Sequence, residues 1–120
     1  MIRFAKSFRH ATDGIRSAFS TERNLRIESV LGVASIILSF VLPLSVTERA
    51  VVFLTIGVIL PLEIVNTCFE RLMDVLSPQY HESVRVIKDL TAGAVLIASV
   101  AAAFVGLVIF VPHIIPFFSK

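Results

Sequence analysis

The last quarter of the chain constrains the fold most, because residues 90–119 contain no charged side chain. A helix crosses the hydrocarbon core of a bilayer with about 20 mainly apolar residues, so this stretch is long enough to span a membrane. Residues 29–47 form a second charge-free stretch, and residues 50–69 form a third that contains one carboxylate, Glu63. The sequence therefore predicts an integral membrane protein.

The composition excludes an ordinary soluble globular domain, a disordered chain and a disulfide-stabilised scaffold. Hydrophobic residues make up 56% of the 120 residues and charged residues 17%, whereas soluble domains carry roughly 25% charge. A soluble domain of this size would expose too much of this apolar surface to water. The single cysteine, Cys68, lies within apolar sequence and excludes an internal disulfide framework. A net charge of +2 gives no reason to expect a nucleic-acid partner.

We predict one all-α membrane domain over residues 1–120. Its transmembrane helices are expected at 29–46, 49–70 and 90–111, and Pro112 and Pro116 are expected to end the last one and start a short exit segment. Most Lys and Arg residues precede the first span or lie between the second and third, while only Arg49 and Lys120 lie on the other side. By the positive-inside rule, this predicts a multi-pass protein of the inner (plasma) membrane, with its N-terminus cytoplasmic and its C-terminus outside.

The segment 1–20 has the pattern of an amphipathic surface helix. Apolar residues recur at spacings of three or four, and basic residues fall on the other side. Such a helix lies in the membrane interface. It is either a plain lipid anchor or, in addition, a lid over a site at the interface. The segment 20–24 then breaks the pattern and predicts a tight connection to the first span.

The second span carries an unusual polar stripe. On a helix, Glu63, Asn66, Glu70 and Asp74 fall within an arc of roughly 80°. Polar groups within a span are expensive, and each is therefore a functional hypothesis. One interpretation is a buried polar seam between helices or protomers, with Lys88 or an arginine as counter-ion. The other interpretation is a divalent cation that neutralises the carboxylates. Mg²⁺ suits this site, because it prefers oxygen ligands and keeps several of its waters when one or two carboxylates bind it. Glu63 lies deepest and is a candidate general base.

Lys88 and Asp89 stand where the third span begins. They are either ordinary flanking charges at a membrane border or part of a binding site. In the second case Lys88 offers a positive charge to phosphates, and Asp89 is favoured by the helix dipole at the start of the span. Together with the carboxylates they favour a Mg-nucleotide site that faces a membrane-embedded acceptor. The sequence has no GxxxxGK[ST] loop and no kinase HRD or DFG motif. Phosphoryl transfer would therefore use a site unlike those of the soluble classes.

The residues from Glu63 to Asp74, EIVNTCFERLMD, followed by Tyr80-His81 and Lys88-Asp89, resemble the signature of the prokaryotic diacylglycerol kinase family. The resemblance covers the whole chain in order. Details are most similar to the Gram-positive undecaprenol kinase branch of that family. The departures are Pro61 before the motif, Cys68-Phe69 within it, Ile87 before Lys88, and Glu28 where many Gram-positive members carry histidine.

The resemblance implies a homotrimer of three-span protomers, with a composite site where span two of one protomer meets the surface helix of a neighbour. It implies that Glu63 is the general base for a lipid hydroxyl and that Glu22 and Glu70 bind Mg²⁺. It further implies that ATP is the donor and that three residues hold its phosphates: Asn66, Lys88 and Asp89. Residues implied near the nucleotide or the lipid are Arg3, His10, Gln79, Tyr80 and His81.

Three functions remain open at this point. The leading one is ATP-dependent phosphorylation of undecaprenol to undecaprenyl phosphate by direct in-line transfer. The second is phosphorylation of diacylglycerol to phosphatidic acid. The third is a non-enzymatic membrane subunit or a cation-conducting oligomer whose acidic stripe lines the path of the ion. This third function does not explain why Lys88 and Asp89 lie at the same membrane depth as Glu70.

Overall fold

The computed structural model describes residues 2–76 and 82–118. These residues form four α-helices, which are α1 (Ile2–Thr21), α2 (Arg23–Val41), α3 (Val46–Leu76) and α4 (Glu82–Phe118). The last three are each long and apolar enough to cross a membrane. An all-helical protein with three candidate spans is therefore confirmed, and the N-terminal segment is a helix as predicted.

The first span ends earlier than predicted. The sequence analysis extended it to residue 46, but α2 ends at Val41 and Leu42 is extended, with φ −86° and ψ 151°. Pro43 explains the difference, because a proline disfavours helical geometry in the residue before it. The short segment from Leu42 to Ser45 then joins α2 to α3. The Leu42 N–H still donates a hydrogen bond to the Leu38 carbonyl oxygen at 2.9 Å.

The third span ends later than predicted. We expected Pro112 and Pro116 to end it, but α4 continues through both prolines to Phe118. A proline lacks the N–H that a helix interior uses, and such residues are tolerated in membrane helices when nearby groups satisfy the freed carbonyls. The freed carbonyls are those of Val108 and Pro112, and the ring Nδ1 of His113 lies 2.8 Å from the neighbouring Ile109 carbonyl oxygen. Pro61 likewise lies inside α3.

Helix α3 is the centre of the structure, because it contacts each of the other three helices. It packs closely on α2 where Gly32 faces Ile56, since a Cβ at Gly32 would lie 3.3 Å from the Ile56 Cγ2 atom. The helices give the molecule two distinct ends. The α1 end holds α1, the start of α2 and the second half of α3. The opposite end holds the α2–α3 connection, the start of α3 and the end of α4.

A small apolar core lies at the opposite end and is formed by Leu42, Leu44, Val52 and Ile109. Elsewhere the long helices expose large apolar side chains such as Val30, Leu54 and Ile97. Exposed apolar surface of this kind suits helices that face lipid tails. Cys68 is also exposed, on α3.

Candidate functional site

Glu63 is the most deeply placed carboxylate at the α1 end. It lies on α3 and is only 3% exposed, as the sequence analysis predicted from its depth in the span. The side chain of Asn24, at the start of α2, is a polar neighbour of Glu63. Because charged groups within a span require a partner or a function, the burial of Glu63 makes it the centre of the candidate site.

Three further carboxylates, those of Glu22, Glu28 and Glu70, lie close enough to Glu63 to repel it electrostatically. They come from the α1–α2 junction, from α2 and from α3. Glu22 and Glu70 were predicted as site residues, and the structure brings both to Glu63 within one chain. Like charges this close favour a bound proton or cation that offsets the repulsion.

Glu28 is a site residue that the sequence analysis did not assign. Its Oε1 atom accepts a hydrogen bond from Ser99 Oγ at 3.1 Å, which joins α2 to α4. Its Oε2 atom is buried and has no hydrogen-bond partner among the described residues. The signal was present in the sequence, because Glu28 is an acidic residue at the edge of a predicted span. Its role depends on helix packing, which the sequence did not reveal.

The predicted stripe on α3 continues from Glu63 through Asn66 and Glu70. Asn66 Nδ2 donates to Glu70 Oε1 at 3.3 Å. The Oδ1 atom of Asn66 is buried and lacks a hydrogen-bond partner within residues 2–76 and 82–118. An amide oxygen and carboxylate oxygens are hard ligands of the kind that Mg²⁺ prefers. The stripe therefore has acceptor atoms that the protein itself leaves unused.

Lys88 reaches the end of the stripe, where its ammonium group forms an ion pair with Asp74. This contact joins the start of α4 to the end of α3, and it realises the counter-ion that the sequence analysis considered. Asp89 lies 3.8 Å from the Arg85 guanidinium and is 69% exposed. A phosphate that approached Lys88 would have to compete with Asp74 for the same charge.

Other predicted site residues are not brought to the carboxylates. Arg3 and His10 are exposed on α1, and they precede Glu22 by about 28 Å and 18 Å of helix respectively. The composite site in which a neighbour supplies the surface helix stays a prediction. Gln79, Tyr80 and His81 lie outside the described residues.

The residues at this site fit a magnesium ion that is shared with a ligand. Across residues 2–76 and 82–118, no group of three or more His, Cys, Asp or Glu side chains forms a complete metal-ion site. Mg²⁺ in nucleotide sites is usually held by one or two carboxylates together with substrate phosphates. Glu22 and Glu70 are carboxylates of the type that such a site uses, and the Asn66 Oδ1 atom is an unused amide oxygen.

A cavity of about 290 Å³ adjoins the site between α2, α3 and α4. Its walls are mainly apolar, and Glu28 and Ser99 provide polar groups in its lining. Glu28 therefore contacts both the cavity and the group of carboxylates. An apolar space with a few convergent polar groups has the character of a ligand site, here for a molecule that combines a hydrocarbon part with a polar end.

Comparison with known proteins agrees with this chemistry. A family model described as prokaryotic diacylglycerol kinase matches residues 9–110. The chain is 38% identical over 112 residues to the undecaprenol kinase of Bacillus subtilis, an alignment that covers 93% of this chain and 91% of that relative. It is 41% identical over 110 residues to a diacylglycerol kinase of Synechocystis, covering 91% of this chain and 63% of that relative. It is 25% identical over 111 residues to the diacylglycerol kinase of Escherichia coli, covering 92% and 91%.

Proposed function

The chain belongs to the prokaryotic diacylglycerol kinase family, and we propose that it transfers the γ-phosphoryl group of ATP to a membrane lipid alcohol, with undecaprenol as the acceptor. The family and its kinase relatives make it a lipid kinase. This excludes the non-enzymatic subunit and the cation-conducting oligomer as its main function. The observation that carries the proposal is Glu63, buried on α3 beside Glu22, Glu28 and Glu70.

In the proposed reaction, the Glu63 carboxylate takes the proton of the lipid hydroxyl. The alcohol oxygen then forms a bond with the γ-phosphorus, the bond to the β,γ-bridging oxygen breaks, and ADP leaves. Transfer of this kind depends on positioning and charge compensation more than on covalent help from the protein. A buried base at membrane depth suits an acceptor that is dissolved in the bilayer.

Glu22 and Glu70 are the residues that would hold Mg²⁺ with the nucleotide phosphates, and Asn66 adds an amide oxygen to the same region. The ion would supply charge compensation on the transferred phosphoryl group. Lys88, together with Asp89, is proposed to hold the phosphates after exchanging its contact with Asp74. The residues proposed to contact the rest of the nucleotide or the lipid are Arg3, His10, Gln79, Tyr80 and His81.

The membrane arrangement is also part of the proposal. We place the α1 end at the cytoplasmic face of the inner membrane, since the basic residues cluster on α1, at the start of α2, near the end of α3 and near the start of α4. Helix α1 then lies in the interface, and its exposed Phe4 and Phe8 enter the acyl region. A homotrimer would bring the α1 helix of a neighbour, with Arg3 and His10, toward the carboxylates.

Undecaprenol is the preferred acceptor because the Bacillus subtilis undecaprenol kinase aligns over 91% of its own length. The mainly apolar cavity that Glu28 lines offers room for hydrocarbon. Diacylglycerol is the second candidate. The Synechocystis diacylglycerol kinase is 41% identical, and Glu28 departs from the histidine of many Gram-positive members.

The test is a phosphorylation assay on the purified full chain in detergent or nanodiscs. Mg-ATP labelled at the γ-phosphate is supplied with undecaprenol and with diacylglycerol in separate reactions, and labelled lipid is measured. We expect faster labelling of undecaprenol. Faster labelling of diacylglycerol would identify diacylglycerol, and not undecaprenol, as the acceptor. Labelling of neither lipid would overturn the proposed function.

A further inference from the structure

Arg71 follows Glu70 on α3, and its side chain reaches across to α1. Its Nη1 group donates to Ser17 Oγ at 3.0 Å, and its Nη2 group donates to Thr21 Oγ1 at 2.6 Å. Ser17 and Thr21 are four residues apart and therefore lie on the same face of the helix. The planar fork of an arginine matches two such acceptors at once. Arg71 thus attaches the last turn of α1 to the turn of α3 that carries Glu70.

The same contacts continue to Glu22. Thr21 Oγ1 lies 2.9 Å from Glu22 Oε1, which is the nearest acceptor within reach of its single hydroxyl proton. Arg71 Nη2 also lies 3.9 Å from Glu22 Oε1. The hydroxyl of Thr21 therefore accepts from Arg71 and donates to Glu22. This series of contacts engages one carboxylate oxygen, Oε1.

Glu22 needs such support because the backbone does not orient it. It is the one residue between α1 and α2, with φ −90° and ψ 114°, and its side chain makes no hydrogen bond as a helix cap. A long carboxylate at a break in helical geometry has several rotamers open to it. The repulsion from Glu63 would also push it away from the site. Arg71 opposes both effects, since it fixes the position of Oε1 and adds a positive charge beside the acidic group.

We propose that Arg71 is a positioning residue that holds the Glu22 carboxylate, through Thr21, in place for the divalent cation of the phosphoryl donor. This inference rests on the proposed function, because it takes Glu22 as a cation-binding residue. It assigns Arg71 no contact with substrate. It predicts that loss of Arg71 weakens the cation and the nucleotide that is bound with it, while chemistry at saturating cation is preserved.

The first measurement is Mn²⁺ affinity, read from the EPR signal of free Mn²⁺ with a non-hydrolysable ATP analogue and no acceptor lipid. The full chain is compared with Arg71→Gln and Arg71→Lys in nanodiscs. Loss of a group that orients a metal ligand typically weakens affinity by about 10- to 100-fold. We expect about tenfold weakening in Arg71→Gln and a smaller loss in Arg71→Lys, which keeps the charge. The control is Arg9→Gln, which removes an exposed arginine of α1 and should leave Mn²⁺ affinity unchanged.

The second measurement separates positioning from a general structural role. In Arg71→Gln, the KM for Mg-ATP should rise about tenfold while kcat at saturating Mg²⁺ stays near that of the unmodified chain. A fall in kcat without any change in KM or Mn²⁺ affinity would overturn the inference. So would an Arg71→Gln variant with unchanged Mn²⁺ affinity.

Thr21 provides a test that does not depend on the folding of the Arg71 variants. Thr21→Val removes the hydroxyl between Arg71 and Glu22 and keeps the side-chain shape, so Mn²⁺ affinity should fall. Thr21→Ser keeps the hydroxyl, and its affinity should match that of the unmodified chain. Equal affinities in the valine and serine variants would contradict the role of Thr21.

The unmodified chain distinguishes this inference from the proposed function. If it phosphorylates neither lipid but its Mn²⁺ affinity depends on Arg71 as expected, the proposed function fails and the positioning role stands. If it is an active kinase whose Mn²⁺ affinity is insensitive to Arg71, the positioning role fails alone.

Discussion

Charged side chains lie at both ends of the long helices, but they are used differently. At the opposite end, Ser45 and Glu48 cap α3 reciprocally: the Glu48 N–H donates to Ser45 Oγ at 3.2 Å, and Glu48 Oε2 accepts from the Ser45 N–H and hydroxyl at 2.7 Å and 2.6 Å. Arg49 donates to the carbonyl oxygens of Ser39 and Leu44, and its guanidinium lies 5.0 Å from the Phe40 ring centroid. These groups complete the backbone hydrogen bonding of a turn.

The α1 end contains acceptor atoms that the protein leaves unused. Glu28 Oε2 and Asn66 Oδ1 are buried without partners among the described residues, and Glu63 is buried beside other carboxylates. An unsatisfied buried polar group costs about 1–3 kcal/mol. Among the described residues, buried acceptors without partners occur at the α1 end and not at the opposite end, which supports the ligand site proposed there. The following substitutions test that contrast.

The largest expected effect is on catalysis. Glu63→Gln removes the proposed base while keeping size and burial, so kcat should fall by about 100-fold or more in the labelled-ATP assay, with nucleotide binding retained. The matched control is Glu48→Gln on the same helix at the opposite end, and its kcat should be unchanged. Equal losses in the two variants would remove the functional contrast between the ends.

The next effect concerns the cation. Glu70→Ala removes one of the two carboxylates proposed for Mg²⁺, so the Mg²⁺ concentration for half-maximal activity should rise by at least about tenfold. Asp13→Ala removes an exposed carboxylate of α1 and serves as the control. An unchanged Mg²⁺ requirement in Glu70→Ala would show that Glu70 does not hold the ion.

A smaller effect concerns stability at the α1 end. Glu28→Gln removes a negative charge that repels Glu63 and keeps an oxygen for Ser99. We therefore expect the free energy of unfolding to rise by about 1 kcal/mol, measured by denaturation in detergent. A destabilised Glu28→Gln variant would indicate that the carboxylate serves packing and not the ligand.

The smallest effect is expected at the opposite end. Ser45→Ala removes the hydroxyl that accepts from the Glu48 N–H, so the free energy of unfolding should fall by about 0.5–1 kcal/mol. Its kcat and Mg²⁺ requirement should not change, and Ser45→Thr, which retains a capping hydroxyl, should be close to the unmodified chain. A loss of activity without a loss of stability would give this end a functional role.

Much of the fold was predictable because its signals are local. The charge-free stretches indicated three spans, and the structure contains three helices of the required length. The errors occurred at prolines. Pro43 ended α2 early, whereas Pro112 and Pro116 did not end α4. A proline removes one backbone donor wherever it occurs, but the surroundings of the freed carbonyl decide whether the helix continues.

The polar stripe was predictable for the same reason, since Glu63, Asn66 and Glu70 share one helix and their spacing alone places them on one face. The contribution of the family resemblance was different. It assigned Glu22, which lies on another segment, and the structure brings Glu22 to Glu63. The roles of Glu22 in cation binding and of Glu63 as the base stay predictions until the variants above are measured.

By itself the sequence determined that this chain is a helical membrane protein with acidic groups on one face of α3, because hydrophobic length and helical spacing are properties of consecutive residues. Tertiary structure decided which other groups meet that face. Glu28 with Ser99, and Arg71 with Thr21, join residues 71 and 50 positions apart. Such contacts depend on how α2 and α4 are rotated about α3 and where α1 docks. Rotation and docking follow from the packing of whole helices, which the spacing within any one of them does not encode.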